Sequence, residues 1–161
     1  MSLTAIARSV PGTLQQEVLI AGRHRVRTDE PERLGGNDSG PAPHELFPAA
    51  LASCIATTLA LYARTKDWDL GDVCVAVDYD NESVPRAFDI AIELGGDLTD
   101  EQLARLEKVA AACPLRRSIE AGIEFTETIA RPGRAPHPPT RRDRHGSRCG
   151  NAHRTAVRRS V

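Results

Sequence analysis

Residues 35–64 read GGNDSGPAPHELFPAALASCIATTLALYAR, a glycine- and proline-rich loop running into the chain's longest apolar segment. Apolar positions fall at Phe47, Ala50, Leu51, Cys54, Ile55, Thr58, Leu59, Leu61 and Tyr62, the three-to-four spacing of a buried helix face. Such a helix needs other elements to cover it, so the rest of the fold must be arranged around it. Pro48 removes a backbone donor, which costs about 3 kcal/mol inside a helix and little at its start. The expectation is a main helix beginning near Pro48, with His44–Phe47 as a turn or kinked first coil. Cys54 lies on the buried face. Glu45 stands nine positions earlier, which on one straight helix means the opposite side and about 13 Å along the axis. Only a break near Pro48 would fold its carboxylate back toward the thiol.

The flanking segments read as sheet. Residues 13–29 carry the β-branched cluster Val18-Leu19-Ile20, then Ala21-Gly22, then His24 and Val26 alternating with arginines, the pattern of a hairpin ended by Glu30-Pro31. Val73, Val75, Val77 and Tyr79 alternate with Cys74, Ala76 and Asp78, and Phe88, Ile90, Ile92 and Leu94 alternate with polar or small residues. The short connection 80–86 makes these an antiparallel pair. Thr99-Asp-Glu-Gln102 is a capping box for a helix running to about Ala112. Pro114 suits the first position of a further helix and places Cys113 at its N-cap. Ile123, Phe125 and Ile129 alternate with Glu124 and Thr126 as a closing strand. The element order gives an α+β fold, antiparallel sheet with helices on one face.

At 161 residues and 40% hydrophobic composition, the chain holds one domain with a core. Residues 1–130 carry 12 Lys and Arg against 21 Asp and Glu, whereas residues 131–161 carry nine arginines against the single acid Asp143. With four prolines and few apolar residues, 131–161 is expected to be a disordered tail appended to a domain at 1–130. Its His137, His145, Cys149 and His153 lack the paired spacing of a metal site, and its arginines imply at most non-specific nucleic-acid affinity. No uninterrupted apolar run reaches the roughly 18–20 residues of a spanning helix, and no signal-peptide pattern opens the chain, so a soluble cytoplasmic protein is expected. In that compartment, four cysteines (54, 74, 113 and 149) point to redox chemistry or metal binding rather than a disulfide scaffold.

Thiol reactivity follows thiolate content, which a helix N-terminus and nearby cations favour. Cys113 has both, with Arg116 and Arg117 one turn on. Cys54 has neither in its own segment and would need a cation from elsewhere, the Arg23–Arg27 hairpin or a second subunit. As a lone residue, Cys54 reads more readily as a small core side chain, and Glu45 equally as a charge complementing a helix dipole. The two thiols could close a transient disulfide if the fold brings their Cα atoms within about 7 Å.

The combination GGNDSGPAPHELFPAALASC, a strand pair, GDLTDEQLARLEKVAAACP and a closing strand resembles the superfamily of osmotically induced protein C and organic hydroperoxide resistance proteins (OsmC/Ohr). It covers roughly residues 13–129. In the peroxidase branch a glutamate directly follows the motif proline. Here His44 holds that place and Glu45 the next, as in the OsmC-like branch. The resemblance implies antiparallel sheets packed around a long cysteine-bearing helix, in an intertwined homodimer with sites at the subunit interface. It further implies a cofactor-free thiol peroxidase with Cys54 as peroxidatic cysteine, Cys113 as resolving cysteine and Glu45 as an activating carboxylate. Organic hydroperoxide would be the substrate and an external dithiol the reductant. The alternative is a non-catalytic relative that binds a small apolar ligand in the same pocket.

Overall fold

The computed structural model of the chain describes residues 3–129, of which Leu3–Glu124 form one compact unit. The expectations for residues 131–161, a disordered Arg- and Pro-rich tail, lie outside the described residues.

Three strands open the chain: β1 (Ala5–Ser9), β2 (Gln16–Ile20) and β3 (His24–Thr28). They form an antiparallel sheet in the order β1-β2-β3, with Val18 opposite both Ala7 and Val26. The β2–β3 hairpin is as expected. Strand β1 was not anticipated, because AIARS carries no alternation of buried and exposed positions: all five of its residues are exposed. No residue of this sheet belongs to the hydrophobic core.

A 3-10 turn at Pro43–Glu45 leads directly into α1 (Leu46–Lys66). The break expected near Pro48 is absent. Pro48 is the third residue of α1, where the backbone N–H has no partner within the helix in any case, so the ring is tolerated without a kink. At 21 residues, α1 is long and apolar enough to cross a membrane by length and composition, contrary to the reading from uninterrupted runs. Here it is the central helix of an α+β unit, packed against the second sheet and both later helices.

That second sheet is the hairpin β4 (Val73–Asp80) and β5 (Ala87–Leu94). Its register pairs Val73 with Leu94, Val75 with Ile92, Val77 with Ile90 and Tyr79 with Phe88, so one face is continuously apolar. Gly95 and Gly96 extend the pairing, donating to Asp72 O and Leu70 O, both at 2.8 Å. A side chain on Gly96 would collide with the Asp69 carbonyl, which is why the crossing needs glycine. Helix α2 (Asp100–Ala111) starts at Thr99, whose hydroxyl accepts from Gln102 N while Gln102 Oε1 accepts from Thr99 N, the expected reciprocal cap. Helix α3 (Pro114–Glu120) follows, with Cys113 at its N-cap.

The closing strand expected at residues 123–129 does not form. The segment has no regular structure, and Ile123, Phe125 and Ile129 are exposed. A strand requires a ladder partner, and the alternating sequence finds none among the described residues.

The core is the row Leu51, Ile55, Leu59 and Ala63 along α1, closed by Leu70, Leu106, Ala110 and Cys113. Phe47 carries the packing to the open end of the sheet, its ring edge-on to Tyr79 and Phe88 at centroid distances of 5.3 and 5.2 Å. Leu59 is fully buried at the centre of the row. Leu59→Ala is therefore expected to lower unfolding stability by about 2–5 kcal/mol in urea titrations.

Candidate functional site

Helix α1 presents two adjacent rows of side chains. The first is the buried row. Beside it, three residues further along at each step, run Cys54, Thr58 and Tyr62, all half-buried. Helix α3 packs against α1 and brings Cys113 to this second row. Cys113 has no exposed surface, while Cys54 retains partial access to solvent. Both are free thiols, and Cys54 packs against the core cluster that contains Cys113. Cys74 lies exposed on the polar face of β4, away from the pair, as its position in the alternation implies.

The two thiols differ in electrostatic setting. Burial pushes the Cys54 thiol above its ordinary value, and its hydrogen bond to Cys113 adds to the rise. Burial acts on Cys113 in the same sense but is outweighed, chiefly by the Arg116 backbone amide, then by the Cys54 thiol, the Leu115 amide and the Thr58 hydroxyl, so the Cys113 value is lowered. The Cys113 side chain makes no close N-cap hydrogen bond, yet the first-turn amides of α3 point toward it. A large, diffuse sulfur anion is held by such longer contacts. The two thiols are thus shifted apart, Cys113 downward and Cys54 upward.

Thr58 belongs to the same constellation. Its Oγ1 donates to Cys54 O at 2.7 Å, and its hydroxyl acts to lower both thiol values. The sequence reading placed it on the apolar face without a role. Its position four residues after the cysteine was the available signal.

Glu45 does not reach this group by folding back at Pro48, because α1 is continuous through that point. Its Oε2 accepts from Ala42 N at 2.8 Å, closing the 3-10 turn ahead of the helix. The hairpin arginines bond within their own sheet: Arg27 pairs with Glu17 at 3.1 Å, and Arg23 Nε donates to His24 Nε2 at 2.9 Å. Arg116 is tied to Glu120 at 2.8 Å.

The loop feeding α1 is fixed by a buried carboxylate at the end of β3. Asp29 Oδ1 accepts from Glu30 N at 2.9 Å, and Oδ2 accepts from Ser39 Oγ at 2.7 Å, Asn37 N at 3.2 Å, Ser39 N at 3.3 Å and Gln15 Nε2 at 3.5 Å. The Ser39 hydroxyl, foremost among these, holds Asp29 below the usual carboxylate range.

A cavity of about 370 Å³ opens one turn from the dithiol, lined by Leu51, Phe88, Ile90 and Ile119, with Arg86, Arg116 and Glu120 at its rim. Neither thiol is among its lining residues. No cluster of metal-ligating side chains occurs among the described residues.

Residues 35–128 match the family described as OsmC-like protein. Among solved structures, a Psychrobacter arcticus protein assigned to osmotic stress and detoxification shares 24% identity at a TM-score of 0.61, over 73% of this chain and 87% of that one. The organic hydroperoxide resistance protein OsmC of Legionella pneumophila shares 22% at 0.54, over 74% and 89%. An OsmC-like protein of unknown function from Vibrio cholerae shares 14% at 0.59, over 74% and 94%. These likenesses are of fold. No curated protein matches the chain.

The ordering of the two thiols has a direct readout. With Cys74 and Cys149 replaced by serine, Cys113→Ala is expected to abolish the lower-pH step in thiolate ultraviolet absorbance. Cys54→Ala is expected to keep that step, moved upward by the loss of one donor.

Proposed function

As the chain belongs to the OsmC-like protein family, we propose that it is a thiol-dependent hydroperoxide reductase whose working group is the Cys54–Cys113 pair. The observation that carries this reading is the meeting of two free thiols from separate helices in a largely buried setting, one of them still accessible.

Cys54 is the sulfur a peroxide can reach. Transfer of its proton to the Cys113 thiolate frees the Cys54 anion, which attacks the outer peroxide oxygen. The O–O bond breaks, the alkoxide leaves and takes a proton to become the alcohol, and Cys54 is left as a sulfenic acid. Cys113 then attacks the sulfenic sulfur, water departs and a disulfide forms. An external dithiol returns both cysteines to thiols by exchange. The apolar cavity beside Leu51 suits the carbon chain of an organic hydroperoxide. Glu45 enters this scheme as the carboxylate nearest the start of the cysteine-bearing helix, and acting on the thiols requires that it release Ala42 N. The cytoplasm, where dithiol reductants are maintained, is the compartment this chemistry fits.

A homodimer fits the surface that one chain leaves open. The outer face of α1 is exposed and built of Ala50, Ser53, Thr57, Ala60 and Leu61, small enough for a second helix to approach closely. The β1–β3 sheet adds nothing to its own chain's core. A second subunit would also be the source of a cation for Cys54.

A second reading, a non-catalytic protein holding a small apolar ligand in the same cavity, is favoured by the raised Cys54 value and by the engagement of Glu45 away from the thiols. Consumption of an organic hydroperoxide with a dithiol reductant separates the two. The peroxidase reading expects turnover by the parent protein, its loss in Cys54→Ser, and a trapped sulfenic acid in Cys113→Ser. Wild-type turnover by Cys54→Ser would sink the assignment, and an inactive parent favours the ligand-binding reading.

A further inference from the structure

Phe88, Ile90, Ile92 and Leu94 share one face of β5, and two residues before Phe88, in step with them, stands Arg86. Arg86, Phe88 and Ile90 line one side of the cavity described above, where they meet the buried Leu51 of α1 and Ile119 of α3. Its volume of about 370 Å³ is that of a small-molecule site. The walls are apolar, but the charges around them do not cancel. Three ionic side chains line the cavity: Arg86, Arg116 and Glu120. Arg116 Nε donates to Glu120 Oε1 at 2.8 Å, which neutralises that pair and leaves Arg86 over.

The ion pairs among the described residues are Arg116–Glu120 and Arg27–Glu17, so Arg86 belongs to neither. Its hydrogen bond there runs from Nη1 to Ser83 O at 3.4 Å, longer than the usual N–H···O range. Asp80, the acid that opens the same turn, has its Oδ1 taken by the amides of Glu82 and Ser83 at 2.9 and 3.0 Å. Arg86 acts on that carboxylate through space, behind these hydrogen bonds. A guanidinium without a counter-ion in contact therefore stands at the rim of an apolar cavity.

We propose that this cavity binds monocarboxylates carrying an apolar chain, and that Arg86 is the residue that selects the acid. The chain lies against Leu51, Phe88, Ile90 and Ile119, and the carboxylate takes two parallel N–H···O bonds from the guanidinium fork. A phosphate monoester fits less well, because its second negative charge would stand near Glu120 with no second free cation to meet it. The inference rests on the reading above in placing the ligand's chain in this cavity, and adds the charge that the ligand carries.

The test measures, by calorimetry on the full chain at pH 7, the binding of octanoate and of 1-octanol, which match in chain length and differ in charge. Octanoate is ionised at that pH. It is expected to bind about three- to tenfold more tightly than octanol at low ionic strength, between the strength of an exposed ion pair and that of a charged hydrogen bond. Most of that advantage is expected to disappear at about 0.5 M salt. Arg86→Gln is expected to abolish the advantage and leave octanol binding unchanged, and Arg86→Lys to keep part of it. Arg86 is exposed, so neither replacement disturbs the core, which circular dichroism checks. Octanol binding as tightly as octanoate overturns the inference, as does an octanoate preference that survives Arg86→Gln, or a parent protein that binds neither. Peroxide turnover is read separately. Octanoate selectivity in a protein that consumes no hydroperoxide ends the peroxidase reading alone, and turnover without that selectivity ends this inference alone.

Discussion

Burial of one row of α1, Leu51, Ile55, Leu59 and Ala63, is the contact on which the rest of the unit depends. It holds β4–β5 against the helix and draws in α2 through Leu106 and Ala110. Because Cys113 is itself a core residue, the same packing sets the start of α3 against the row beside it. The meeting of the two thiols is thus a by-product of hydrophobic closure. The core places the sulfurs, and no bond between them is needed to do so.

Charge in this pocket is governed by dipoles and shared protons more than by ions. Two of the cations singled out in the sequence are paired elsewhere, Arg116 with Glu120 and Arg27 with Glu17. Burial disfavours an anion on either sulfur, and the amides at the start of α3 tip the balance to Cys113. The accessible thiol is consequently the one with the higher value.

Much of this was legible from residue types and spacing. The β4–β5 pair with its apolar side, the Thr99–Gln102 cap and the N-cap position of Cys113 each follow from a local rule with one outcome, whereas Ala50 and Leu61, expected on the buried face of α1, are exposed. What was not legible depended on partners distant in sequence. AIARS becomes a strand only because β2 offers it an edge, and residues 123–129, with a clearer alternation, find no such edge among the described residues. Helix α1 starts at Leu46, two residues before the expected start at Pro48, and the proline stays within the first turn. The interaction of Cys54 with Cys113 lies across 59 residues of chain. Periodicity placed each on a buried surface without saying that the surfaces meet.

The Asp29 knot carries a consequence for which substitutions the loop can accept. Its Oδ1 faces one donor and its Oδ2 faces four, of which the Asn37 and Ser39 amides and the Gln15 NH2 can only donate. Asparagine is nearly the same shape, yet either orientation of its amide would set an NH2 group against a donor. Serine at position 39 has a matching constraint, since its hydroxyl must give to the carboxylate while taking from Gln15 Nε2 at 2.9 Å. The entrance to the cysteine helix is therefore keyed to the polarity of individual atoms at positions 15, 29 and 39.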